Sequence, residues 1–283
     1  MSTTAGQNNG LRPPSRGIHL NGATIMTTPT ARHVEISRLA GFDGVEVRAE
    51  RLLGVPAELE EAAALVRPGE VWSLNGIQFQ LRPDETLDRD RLEAELEPRL
   101  EICRALHAAY LLVVPPRTAG VDRDRAARAM QEGLAVARDL AATDGIRLAF
   151  EFLGFADCPI DTPALAGEVV AGVPGVDVVL DSCHWHASGS GSLDAFPVDR
   201  LAMVHLNDAP AKAPRDIEDG DRLLPGQGVI RLRDLIAGLR RRGYDGPWSL
   251  ETFNPAYWLD DPLPVAREGR RLVAELLGLP APS

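Results

Sequence analysis

The chain of 283 residues is 45% hydrophobic and carries a formal net charge of -11. That length can bury a large core in one domain, and the acidic balance, with no basic patch, argues against nucleic acid or an anionic membrane surface as a partner. No apolar run is long enough to span a bilayer, and Lys212 is the only lysine, which limits the chemistry considered below.

The first 15 residues, MSTTAGQNNGLRPPS, are polar and lack the apolar core of a signal peptide. They read as a disordered tail, 1–15, ahead of a single domain, 16–283. From there, short runs rich in Val, Ile and Leu alternate with longer stretches that carry charged faces. Strands are predicted at 17–22, 44–48, 71–79, 110–115, 147–152, 176–181, 202–207 and 247–252. Helical patterns lie between them, as at 89–107, 122–143 and 232–242, with a closing helix at 263–277. Such alternation builds a parallel sheet. Repeated eight times, it closes into an α/β fold, the (β/α)8 TIM barrel. A doubly wound open sheet usually carries fewer strands, and no GxGxxG motif follows the first strand. The longest irregular stretch, about 209–228, is a candidate functional loop. Cys103, Cys158 and Cys183 are odd in number, widely spaced and without a CxxC pair, which suits a reducing, cytoplasmic location.

Barrels of this kind keep their active sites at the C-terminal ends of the strands. There the sequence places Glu151 in RLAFEFLG, Asp181 in DVVLDSCHWH, His205 in MVHLND and Glu251 in WSLETF. Side chains alternate along a strand. If Phe150, Phe152, Leu180, Val204, Leu206 and Leu250 face the helices, the four polar residues point inward at one depth. Carboxylates gathered there must protonate, pair or bind a cation. One divalent metal answers that need. Three oxygen donors with one imidazole suit Mn2+, Zn2+, Co2+ or Fe2+, and the carboxylates also lean towards Mg2+. Any one of these residues alone is better read as an isolated buried polar group, but four on consecutive strands are not. Asp181 also fits a local turn cap, and His186 fits a packing role equally well.

The segments LAFEFLGFADCPIDTP, VVLDSCHWHASGS, VHLND, DRLLPGQGVI and GPWSLETFNPAYW, with weaker IHLNGAT, GFDGVEVR and LNGIQF, give the chain a family likeness. It resembles the xylose isomerase-like superfamily of sugar isomerases and epimerases. More narrowly, it looks like the inosose (2-keto-myo-inositol) isomerases of inositol catabolism. The resemblance implies Glu151, Asp181, His205 and Glu251 as ligands of one divalent metal. It implies His184 and Arg222 as groups that hold substrate oxygens, and Asn21 and Asn75 as positions lining the pocket. Glu46 falls at a matching strand end. The run Cys183-His184-Trp185-His186 departs from the family pattern, which has aromatic residues beside the histidines. That departure bears on pocket shape and substrate.

The expected reaction moves a ketone along a small polyhydroxy substrate through an enediolate. Glu151 and Glu251 would form the acid–base pair while also touching the metal. Trp258 and Tyr257 would cover the pocket or else pack under the closing helix. The stretch TFNPAYW lacks a glycine-rich cradle, so a substrate without phosphate is expected. The same site allows a ketohexose C3 epimerase, a dehydratase or lyase, 3-oxo-glycoside cleavage, or a metal-containing sugar-binding protein without turnover. A Schiff-base aldolase would need a lysine inside the barrel, and a metal-dependent endonuclease would need a basic surface. Homo-oligomerisation is left open.

Overall fold

The computed structural model describes residues 17–280; the expected tail, 1–15, lies outside the described residues. The strands are β1 Ile18–Asn21, β2 Gly44–Arg48, β3 Val71–Gln78, β4 Tyr110–Val114, β5 Arg147–Glu151, β6 Val176–Asp181, β7 Leu201–Leu206 and β8 Trp248–Leu250. They close into a parallel barrel in sequence order, with β8 paired back to β1. The largest departure from expectation is β8, which ends at Leu250 and not at 252. Glu251 still donates its N–H to the Leu206 carbonyl, but the Thr252 N–H donates to the Thr24 hydroxyl, so the chain leaves the ladder.

Helices α1 Thr30–Leu39, α2 Ala49–Leu52, α3 Pro56–Leu65, α4 Arg89–Leu106, α5 Arg123–Ala142, α6 Pro163–Ala171, α7 Ser182–Ala187, α8 Leu232–Arg241 and α9 Pro262–Leu277 complete the fold. Local signals set their ends. Asp88, Asp122 and Asp261 cap α4, α5 and α9 by accepting backbone N–H groups, a contact worth about 1 kcal/mol each. Gly278 ends α9 in the left-handed region at φ 68°, where glycine carries no side-chain penalty. Helix α5 buries Ala126, Met130, Leu134, Ala137 and Ala141, a helical spacing that lays one face on the barrel. Among the described residues, no helix is long and apolar enough to cross a membrane.

Strand alternation divides the apolar residues into two regions, with a register shift in β3 setting Trp72 and Leu74 on different sides. Leu20, Val45, Leu74, Leu111, Phe150, Phe152, Leu180, Val204, Leu206 and Leu250 belong to the core shared with the helices. Burying a side chain of this size stabilises the wall by roughly 1.5–3 kcal/mol. Trp72, Tyr110, Leu112, Ala149, Val179 and Met203 form a separate cluster, which fills the barrel interior. One period of two beyond Ala149, Val179 and Met203 stand Glu151, Asp181 and His205. The apolar plug thus fixes the depth at which the polar layer begins.

Candidate metal centre and cavity

One ligand atom from each of Glu151, Asp181, His205 and Glu251 lies within 4.8 Å of the others, and all four residues are buried. His205 Nδ1 is 3.0 Å from Glu151 Oε1 and 3.1 Å from Glu251 Oε2. On its other side, Nε2 is 3.2 Å from Glu46 Oε1, a carboxylate behind the ring that fixes its orientation. Asp181 does two things at once. Its Oδ1 caps α7 by accepting the His184 N–H at 2.8 Å. Its Oδ2 accepts from Asn207 Nδ2 at 2.6 Å and Arg222 Nη1 at 3.0 Å. The turn-cap reading of Asp181 and its convergence with the other three residues therefore coexist. Arg222, fully buried, also donates to Glu251 at 3.2 Å and Asp219 at 2.8 Å, and its Nη2 lies 3.1 Å from His184 Nε2.

The charges explain why this cluster suits a cation. Glu46, Glu151, Asp181 and Glu251 are buried beside Arg222 and His205, so acids outnumber the basic groups among them. Burial opposes a charged imidazole at His205, yet Glu251, Glu46 and Glu151 outweigh it and hold its pKa well above 6.5. Burial lifts Glu151 to about 7 against the pull of His205, with Glu251 and Asp181 adding to the rise. Burial would lift Glu251 too, but His205, Arg222 and Arg48 hold it below the usual carboxylate range. Asp181 is raised by burial despite Arg222. Like charges so enclosed favour a bound cation. Three carboxylates and one imidazole, already convergent, form a donor set that fits a divalent metal.

Above the cluster opens a cavity of about 330 Å³. Asn75, Gln78, Glu151, His184, Arg222 and Glu251 give it a polar wall; Ile77, Leu112, Val114, Leu153, Phe155 and Phe253 give it an apolar one. Asn75, His184 and Arg222 thus stand where substrate contacts were expected. Three other expected contacts do not line the cavity. Glu46 is sequestered behind His205. Asn21 is buried where it donates to Glu46 at 3.2 Å and to Glu251 at 2.9 Å, so it orients carboxylates. Trp258 is drawn away by its indole N–H, which donates to the Ala23 carbonyl at 2.8 Å. The aromatic wall residue after β8 is instead Phe253, with the Arg48 guanidinium 4.8 Å from its ring centre. Arg48, Asn207 and Phe253 were missed by sequence reasoning. Arg48 and Asn207 follow an inward residue (Glu46, His205) by one period of two, so the alternation rule carried one step further finds them; Phe253 stands where the chain has left the ladder and has no such signal. Arg117, Phe155 and Asp219 lie on loops and have no such signal.

The model of the xylose isomerase-like TIM barrel family matches residues 34–276, and the chain belongs to that family. It is similar to inosose isomerase of Halalkalibacterium halodurans, 26% identical over 245 residues that cover 83% of this chain and 86% of that protein. It is also similar to 3-dehydroshikimate dehydratase of Pseudomonas putida, 28% identical over 240 residues, covering 79% of this chain and 36% of that protein. Among solved structures, IOLI protein with a zinc atom bound aligns with a TM-score of 0.84 at 24% identity, covering 93% of this chain and 98% of that one.

Proposed function

We propose that the protein is a divalent-metal-dependent isomerase that moves a ketone by one carbon along a small, unphosphorylated polyhydroxy substrate of the inosose type. The observation that carries this reading is the convergence of Glu151, Asp181, His205 and Glu251 beneath an amphipathic cavity. Similarity to an inosose isomerase along most of both chains supports the substrate class. Those four residues would hold the cation, which when bound supplies Lewis-acid stabilisation of charge developing on the carbonyl and neighbouring hydroxyl oxygens.

The chain's own residues move the protons. Without a cation, His205, Arg222 and Arg48 hold Glu251 below the usual carboxylate range, while burial lifts Glu151 to about 7. Environments that push two carboxyls apart in this way suit one as base and the other as acid. Glu251 takes the proton from the carbon bearing the hydroxyl, and the electron pair forms the enediolate. Glu151 gives a proton to the former carbonyl carbon. The hydroxyl proton passes to the former carbonyl oxygen, so the formula is unchanged. His184 is buried, with its pKa driven down by burial and then by Arg222, and its Nδ1 has no hydrogen-bond partner. The neutral ring lines the cavity, where it would orient substrate. Phe155, Phe253 and Leu112 offer an apolar surface to the C–H face of a ring and exclude water. Arg48 and Arg117 at the rim are already paired with Glu50 at 2.8 Å and Asp157 at 3.0 Å, which favours a substrate without phosphate. The buried free cysteines Cys103, Cys158 and Cys183 suit a reducing cytoplasm.

A lyase is the second reading, favoured by the similarity to 3-dehydroshikimate dehydratase; there the same α-proton removal would be followed by loss of a β-hydroxyl as water. Incubation with keto-inositols and ketohexoses in D2O, with a divalent metal present, separates the outcomes by NMR. A displaced ketone with deuterium at the former carbonyl carbon supports the isomerase. A new C=C bond marks a lyase, and inversion at the exchanged carbon marks an epimerase. Binding without exchange would leave a metal-containing sugar-binding protein.

A further inference from the structure

We propose that Arg117 is a positioning residue that clamps the rim loops after β4, β5 and β7 and so holds His184 and Arg222 in register for substrate. Arg117 lies in the loop after β4 and lines the cavity. Its Nε donates to both oxygens of Asp157, at 3.0 and 3.1 Å, in the loop after β5. Its Nη2 donates to Glu218 at 3.2 Å, and its Nη1 is 3.9 Å from Asp219, both in the loop after β7. Its guanidinium covers the Phe155 ring at 4.1 Å from the centroid.

Two of these partners touch the groups that face the substrate. The rings of Phe155 and His184 meet edge to face, with centroids 4.8 Å apart. Asp219 accepts from Arg222 Nη2 at 2.8 Å. One guanidinium therefore braces both orienting residues from outside the barrel. The fit is close: a Cβ on Gly154, next to Phe155, would fall 2.1 Å from the His184 carbonyl oxygen. None of the Arg117 contacts named here reaches Glu151, Asp181, His205 or Glu251, which are held by the strands. The clamp reaches that cluster at one remove, through Arg222, which donates to Asp181 and Glu251.

A second arginine joins the same two loops away from the cavity. Arg215 donates to the Gly154 carbonyl at 3.2 Å and pairs with the buried Asp161 at 2.9 Å. Loss of Arg117 therefore frees the rim without detaching the loops. Single exposed ion pairs contribute little. A planar fork that meets three carboxylates while stacked on a ring is different, and a lysine cannot reproduce it.

The kinetic half of the test rests on the isomerase reading; the hydrogen-exchange half does not. In Arg117→Gln and Arg117→Lys, amides in both 154–161 and 213–222 are expected to exchange about tenfold faster than in wild type, together. KM for the turned-over polyhydroxy ketone should rise about tenfold, with kcat within about threefold of wild type. Loops that exchange as in wild type would overturn the clamp, and so would a fall in kcat at unchanged KM. An Arg117→Lys variant equal to wild type in both measures would also overturn it, because charge alone would then suffice. If wild type turns over no polyhydroxy ketone, the isomerase reading falls and loop exchange alone decides the role of Arg117.

Discussion

The two ends of β6 carry the same residue type on the same face and treat it differently. At the start of the strand, Asp177 accepts a hydrogen bond from the Tyr110 hydroxyl at 2.9 Å and pairs with Arg147. Tyr110 in turn stacks on Trp72, with ring centroids 4.5 Å apart. The protein's own groups answer that charge. At the end of the strand, Asp181 stands with Glu151, Glu251 and Glu46, and the basic partners among them are fewer than the acids. The lower end is a finished core; the upper end is a set of donors poised for a cation. Stability and function are divided along a single strand.

Substitutions at the two ends should therefore differ in kind. Glu251→Gln keeps the shape of the site and removes its ionised base. Exchange of the substrate α-proton in D2O should fall by about 10²–10⁴-fold, while the far-UV circular dichroism is unchanged. Near-normal exchange would remove Glu251 from the proton transfer. Arg222→Met leaves Asp181 and Glu251 without their guanidinium partner. Stripping one member from a buried charge cluster costs about 3 kcal/mol, to be read as a lower urea midpoint for the metal-free protein. An unchanged midpoint would show that the acids are neutralised without Arg222.

The buried histidines extend the contrast. Without a cation, acids raise the His205 pKa well above 6.5, whereas burial lowers His33 from 6.5 to about 4; His33 Nε2 lies 3.0 Å from the Leu20 carbonyl oxygen. Its folded pKa lies below its unfolded value, so the unfolded chain binds the extra proton between about pH 6.5 and 4. The His33 penalty is absent above pH 6.5 and grows as the pH falls through that window, reaching about 2–3 kcal/mol. His33→Gln should flatten this part of the stability curve in urea titrations at pH 7 and 4.5. Parallel curves for variant and wild type would contradict the neutral burial. The smallest effect belongs to the lower end. Tyr110→Phe removes one hydrogen bond to Asp177 and should cost about 1 kcal/mol, with no change in α-proton exchange. A loss of exchange there would erase the division between the ends.

Much of this was legible in the sequence because strands and helices impose periods of two and 3.6. Phe150, Leu180, Val204 and Leu250 face the helices, and the same parity brings Glu151, Asp181, His205 and Glu251 together. Arg48 and Asn207 sit one step further along the same alternation, whereas Phe253 lies past the end of β8. The sequence leaves Trp258 between the pocket and the closing helix because it cannot show the path of the chain after β8. That path is set by distant partners, with Thr24 receiving the Thr252 N–H and Ala23 receiving the indole. Arg117 and Asp219 carry no period at all, since their positions follow from contacts between loops far apart in sequence.

Metal content measured by mass spectrometry bears most directly on the centre itself. After equilibration with Zn2+ or Mn2+ and exhaustive dialysis, wild type should retain about one divalent ion per chain, and Asp181→Asn should retain almost none. A wild-type protein that keeps no ion, or a variant that keeps as much as wild type, would contradict the assignment of this cluster as a metal site.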